Sequence, residues 1–128
     1  MYHYTALVTL LAALFYLYTS TQVSRARIKY GVKLPAIAGN ADFERVFRIQ
    51  MNTLEWLPIF LPSLWLFAGA WGDLLAAAIG IFWPIGRLIY ARGYYMAAEK
   101  RGPGFGISFF SAAILLLGTI VGLVMNFI

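Results

Sequence analysis

Residues 102–128 read GPGFGISFFSAAILLLGTIVGLVMNFI, without one charged side chain. A bilayer core of about 30 Å is crossed by about 20 apolar residues of helix, and this segment reaches that length unaided. Irregular backbone and open sheet edges cannot satisfy their polar groups in lipid, so a spanning stretch of this kind reads as a helix. The link RGPGFG at its start carries the proline and glycines that stop one helix and begin the next. This stretch alone predicts an all-α membrane protein.

The rest of the chain extends that reading. Residues 1–24 carry no Lys, Arg, Asp or Glu, and the segments 56–72 (WLPIFLPSLWLFAGAWG) and 74–86 (LLAAAIGIFWPIG) are uncharged again. The two middle segments reach spanning length only by running into polar ends. The expected spans are residues 2–24, 44–70, 74–99 and 104–127, within a single membrane domain covering residues 1–128. The predicted fold class is therefore an integral membrane four-helix bundle. Pro58 and Pro62 predict a kink or loosened backbone in span two, and Pro84 predicts the same in span three. Gly31, Pro35, Gly39 and Asn40 mark a first loop from about Arg25 to Asp42.

Composition agrees. Of the 128 residues, 62% are apolar and 12% charged, against about 25% charged in soluble domains. Mean hydropathy is +0.76. Disorder requires the opposite balance. With no cysteine and one histidine, His3, disulfides, thiolate metal sites and a cysteine nucleophile are excluded, and no metal site is expected. No Lys or Arg precedes the first apolar run, so it does not read as a secretory signal.

The net charge of +5 first suggests nucleic acid, but the positions of the charges argue otherwise. Arg25, Arg27, Lys29, Lys33, Arg45 and Arg48 lie between spans one and two. Arg87, Arg92, Lys100 and Arg101 lie at the end of span three or just after it. With four spans, all ten fall on one membrane face. The positive-inside rule makes that face, with loops one and three, cytoplasmic and puts both termini opposite. The membrane is expected to be a bacterial inner membrane or the endoplasmic reticulum. No helix-turn-helix, zinc or RNA-recognition pattern supports a nucleic-acid partner. Membrane lipids are the expected surroundings.

Two polar stripes interrupt the spans. At about 100° per residue, Arg45, Arg48, Asn52 and Glu55 fall within roughly 80° of one another, while Gln50 points elsewhere. Span three carries a second stripe, in which Arg87, Tyr90, Tyr94 and Arg101 fall within about 60°. A charge running toward a membrane core is a functional hypothesis by default. Guanidinium groups beside phenols suit an anionic ligand, since arginine offers planar paired donors and tyrosine a hydroxyl. The plain alternative is structural: Glu55 pairs with Arg48 or with an arginine of span three, and the tyrosines anchor the interface.

The segment FERVFRIQMNTLEWLPIF, Phe43–Phe60, resembles the signature of the MAPEG family, the membrane-associated proteins of eicosanoid and glutathione metabolism. GRLIYARGYYMAAEKR, Gly86–Arg101, is similar to the family's third-helix stretch. The resemblance covers nearly the whole chain. It implies a homotrimer that binds glutathione between subunits, near the cytoplasmic face. By that resemblance Arg48, Gln50, Asn52, Glu55, Tyr90 and Tyr94 bind glutathione, and Arg101 holds its sulfur. A basic residue at the end of span one also contacts ligand in the family; Arg27 is preferred here over Arg25. One departure is Trp56, where several relatives carry a tyrosine after the motif glutamate. Non-enzymatic, lipid-presenting relatives lose the second motif arginine, whereas Arg48, Glu55 and Arg101 are all kept here.

The implied chemistry is that of a glutathione transferase or peroxidase. Glutathione is the co-substrate, and a lipophilic electrophile or lipid hydroperoxide is the second substrate. A thiol with a pKa near 8.5 ionises more readily beside an arginine, and a fall of one to two units is worth about 1.4–2.7 kcal/mol. The competing readings are a non-catalytic lipid-presenting relative and a small four-span exporter. Exporters of that kind centre on an acidic residue in span one, and span one here has none.

Overall fold

The computed structural model describes residues 1–128 and is helical nearly throughout. Helix α1 runs His3–Tyr30, α2 Ala41–Trp71, α3 Asp73–Gly80, α4 Phe82–Met96 and α5 Gly102–Phe127, with a 3-10 turn at Ala98–Arg101. Helices α3 and α4 together form one span, so four helical segments are long and apolar enough to cross a membrane. The architecture is the expected all-α four-helix membrane bundle. Leu7, Leu10, Leu14 and Leu17 of α1 and Leu116, Leu117, Ile120 and Val124 of α5 are exposed on its outer surface. In lipid that is where apolar side chains belong.

Three local features depart from the expected spans. First, α1 does not stop near residue 24 but continues to Tyr30, so Arg25, Arg27 and Lys29 stand on its last two turns. Basic residues there face the negative end of the helix dipole. The helix ends at Gly31, whose φ of 67° is the left-handed conformation that glycine adopts at little cost. The first loop is thus the short stretch 31–40, and Asn40 caps α2 by accepting from the Phe43 amide at 2.9 Å.

Second, α2 runs unbroken through Pro58 and Pro62, with both prolines on the exposed side. Span three does break, as Pro84 led one to expect, at Ile81. Pro84 has no amide proton to give the carbonyl of Gly80, one turn earlier, and its ring crowds that carbonyl. Two hydroxyls of α5 donate into the carbonyls flanking this bend: Ser111 to Ile79 at 2.8 Å and Ser108 to Trp83 at 2.9 Å. Side-chain hydroxyls commonly satisfy loosened backbone inside a membrane in this way.

Third, span three does not remain helical to residue 99. Helix α4 ends at Met96 and the extended Ala97 leads into the 3-10 turn.

The bundle core gathers Val8 and Ala12, Phe60 and Leu64, Ala76, Trp83 and Leu115, contributed by all five helices. Phe60 and Trp83 stack with ring centroids 4.5 Å apart. A second, smaller cluster of Phe15, Ile49, Tyr90 and Ala91 lies toward the basic end of the bundle, and its Tyr90 also lines the polar site.

Candidate functional site

The site is organised around a buried cation. Arg87 of α4 is fully buried, in the middle of a span. Its guanidinium donates to Asn52 Oδ1 at 2.9 Å and to Thr53 Oγ1 at 2.9 Å, both on α2. The Thr53 hydroxyl in turn donates to the Ile49 carbonyl at 2.7 Å. The Arg87 guanidinium carbon sits 4.1 Å from the centroid of the Tyr90 ring. No carboxylate pairs with it, and the chain's single ion pair is Asp42–Arg45. A desolvated cation is held here by two charge-assisted hydrogen bonds and an aromatic face.

This arrangement fixes the polarity of Asn52. Its carbonyl oxygen is engaged by Arg87, so its NH₂ group is the end left to donate elsewhere. Asn52 also lines a cavity of about 660 Å³ shared with Tyr90, Glu99, Arg101, Gly102 and Phe105. Tyr90 packs edge-on against Tyr94 at 5.5 Å, and the Arg101 guanidinium lies 5.7 Å from the Tyr94 ring. Arg101 donates to the Ala98 carbonyl at 2.6 Å, which pins it to its own turn.

Arg101 therefore reaches this site by a route that helical spacing does not describe. It is not on the same helix as Tyr90 and Tyr94. The chain leaves α4 after Met96, and the 3-10 turn folds back so that the Lys100 backbone lies against Gly93. Helical spacing sets Arg101 beside the tyrosines on one helix; in the structure the 3-10 turn brings it beside Tyr94 instead.

Within one chain the structure thus brings together Asn52, Tyr90, Tyr94 and Arg101. It does not bring Arg48 and Glu55 into the cavity; both are exposed on α2, and Gln50 is half-buried outside it. Glu55 makes no ion pair with Arg48 or with an arginine of span three, so the structural alternative for that stripe is not realised. Arg27 donates to the carbonyls of Ala36 at 2.6 Å and Val32 at 3.4 Å and lies 4.9 Å from the Phe43 ring, which ties it to the first loop. Arg25 lines a different cavity. Trp56 packs edge-on against Phe105 and Phe109 of α5. Arg87, Thr53 and Glu99 are polar residues of this region outside the expected glutathione-binding set. Arg87 follows thirteen uncharged residues, 74–86, and that position was the available signal for it.

A sequence profile described as the MAPEG family matches residues 5–121. The chain is 52% identical over 118 residues to an uncharacterized protein of Synechocystis sp., covering 92% of this chain and 86% of that one. It is 39% identical over 123 residues to human microsomal glutathione S-transferase 2, covering 96% and 84% of the two chains. It is 37% identical over 123 residues to rat leukotriene C4 synthase, covering 96% and 82%. The chain belongs to the MAPEG family. With its four apolar helical spans, this MAPEG member is an integral membrane protein.

Proposed function

We propose that this MAPEG protein is a membrane glutathione transferase that also reduces lipid hydroperoxides, with Arg101 stabilising the glutathione thiolate. The observation that carries the reading is the convergence of Arg101, Tyr90 and the oriented Asn52 amide on one cavity. Relatives named glutathione S-transferase and leukotriene C4 synthase, matched along nearly the whole chain, support it.

In this reading Asn52 donates its NH₂ to a carbonyl of the tripeptide. Arg48 neutralises a carboxylate, and Glu55 takes the ammonium. Arg27 and Gln50 complete the site from the surface of a neighbouring copy in a homotrimer. The Arg101 guanidinium favours the thiolate as a cation and needs no general base to do so. The sulfur lone pair forms a C–S bond to the electrophilic carbon. The displaced electron pair leaves with a halide or collects on an epoxide oxygen, which takes a proton from water. With a hydroperoxide, sulfur attacks the terminal oxygen and the O–O bond breaks to release the alcohol. A second glutathione then displaces water from the sulfenic acid and closes the disulfide. The lipophilic substrate enters from the bilayer.

The decisive experiment is turnover of purified protein with glutathione and a chromogenic aryl halide. The reading expects turnover in the wild type and a loss of at least tenfold in Arg101→Ala. Glutathione binding without turnover would mean that the protein presents ligands instead.

A further inference from the structure

Among the basic residues that stand outside the glutathione reading are Arg25, Lys29 and Arg92. These three lie along one furrow. Between α1, α2 and α4, at the basic end of the bundle, a cavity of about 390 Å³ is lined by Arg25, Lys29, Gln22, Tyr18 and Tyr95 among others. A second hollow of about 310 Å³ adjoins it, sharing Tyr18 and Tyr95 and adding Arg92 and Leu88. A third, of about 320 Å³, shares Tyr18 and Leu88 and continues between Leu11, Leu14, Pro84 and Ile85. The shared residues make these one continuous groove between α1 and α4, away from the cavity that holds Asn52 and Arg101.

Its character changes along its length. The lower part is almost wholly apolar; the upper part offers two cations, an amide and phenols, with no carboxylate in its lining. The Tyr95 hydroxyl is buried there without a hydrogen-bond partner. Pairing a buried hydroxyl is favourable, so a ligand acceptor at that point would find a donor to meet. From Leu11 to Arg25 the groove spans about 21 Å along α1 at 1.5 Å per residue. Half a bilayer core is about 15 Å, so the groove has the length of one lipid with its headgroup.

We propose that this groove binds an anionic phospholipid of the leaflet at the basic end of the bundle. The phosphate sits among Arg25, Lys29 and the Tyr95 hydroxyl, and one acyl chain lies over Tyr18 between Leu14 and Leu88. Charge complementarity selects the headgroup, and the apolar floor holds the chain. The proposal does not depend on the glutathione reading.

The test is native mass spectrometry of the protein released from a neutral detergent, titrated with phosphatidylglycerol or with phosphatidylcholine of identical chains. The wild type is expected to bind phosphatidylglycerol at least fivefold more tightly. The exposed pair Arg25→Gln/Lys29→Gln should bring the two lipids to parity, and Tyr95→Phe should weaken phosphatidylglycerol by two- to fivefold. Leu88→Trp, which fills the floor from an exposed position, should weaken both lipids. Glycerol phosphate, the headgroup without chains, should not displace bound lipid. An unchanged preference in the double variant overturns the proposal. Displacement by glycerol phosphate at equal concentration would make the groove a free-anion site instead. A double variant that alters only the number of associated chains would make it a contact between copies.

Discussion

Arg87 illustrates how little a residue's type says about its task. It is the most deeply buried charge in the molecule, and it spends its hydrogen bonds on Asn52 and Thr53. A buried cation without a counter-ion carries a desolvation penalty that an apolar side chain of similar volume does not. Arg87→Met is therefore expected to leave the thermal midpoint unchanged or raised. With Asn52 no longer held, its amide can rotate, and glutathione affinity should fall about tenfold, worth about 1.4 kcal/mol. Calorimetric titration beside a melting curve separates the two effects; a lowered midpoint with intact affinity would make Arg87 purely structural. Arg101 has a different signature. Arg101→Ala should raise the pH at which bound glutathione ionises, because the cation that favours the thiolate is gone. A thiolate absorbance titration identical to wild type would remove Arg101 from the chemistry. Glu55→Gln should weaken glutathione binding, measured by the same calorimetry, if Glu55 takes the ammonium. At this scale the sequence pointed to Asn52, Tyr90 and Arg101 as polar groups in apolar surroundings. That Arg87 orients Asn52 was not legible, since 35 residues separate them and only the packing of α4 on α2 joins them.

At the scale of elements, α4 and α5 meet with almost no side chain between them. A Cβ on Gly104 would strike the backbone of Tyr90 and Gly86, and one on Gly86 would strike Ser108 and Gly104. Small residues allow such close crossings between membrane helices. The neighbours are backbone atoms and cannot swing away. Gly104→Ala should thus destabilise by about 1–3 kcal/mol and displace Tyr90, reducing turnover as well. Gly106→Ala, two residues along the same helix but with open space at its Cβ, should be neutral or stabilise by up to about 1 kcal/mol. Thermal melts of the two variants should therefore move in opposite directions or differ clearly. The sequence showed four spans because an apolar run of sufficient length has few alternatives. It did not show where those helices end. Helix α1 outlasts its apolar run because Arg25, Arg27 and Lys29 are good helix formers that reach toward polar surroundings. Of three prolines within spans, only Pro84 stands beside a break, where hydroxyls of α5 bond the flanking carbonyls of Ile79 and Trp83.

At the scale of the whole molecule, the end of the bundle opposite the basic residues is tied by one carboxylate. Asp73 begins α3, yet it accepts from the backbone amides of Tyr4 at 3.0 Å and Thr5 at 2.7 Å. It thereby caps α1, whose own N-cap position, Tyr2, supplies no side-chain bond. Asp73→Ala should lower the melting midpoint by a few degrees, with Asp73→Asn between it and wild type because an amide keeps one acceptor oxygen. Equal midpoints in all three proteins would show that the cap carries no stability. The exposure of Arg48 and Glu55 on a lone chain is a further whole-molecule fact. In the proposed homotrimer a neighbouring copy approaches them, and native mass spectrometry should find three chains; a single-chain mass would leave those charges without a partner.

The number of spans, the clustering of basic charge and the polar positions within apolar runs follow from the linear order of residues. Each depends on hydropathy and spacing, which are local quantities. The orientation of Asn52, the return of Arg101 beside Tyr94, the cap that Asp73 gives α1 and the groove that joins Arg25 to Leu11 belong to the folded molecule. Each depends on atoms far apart in sequence brought together by helix packing, and no periodicity along one helix encodes which face of another it will meet.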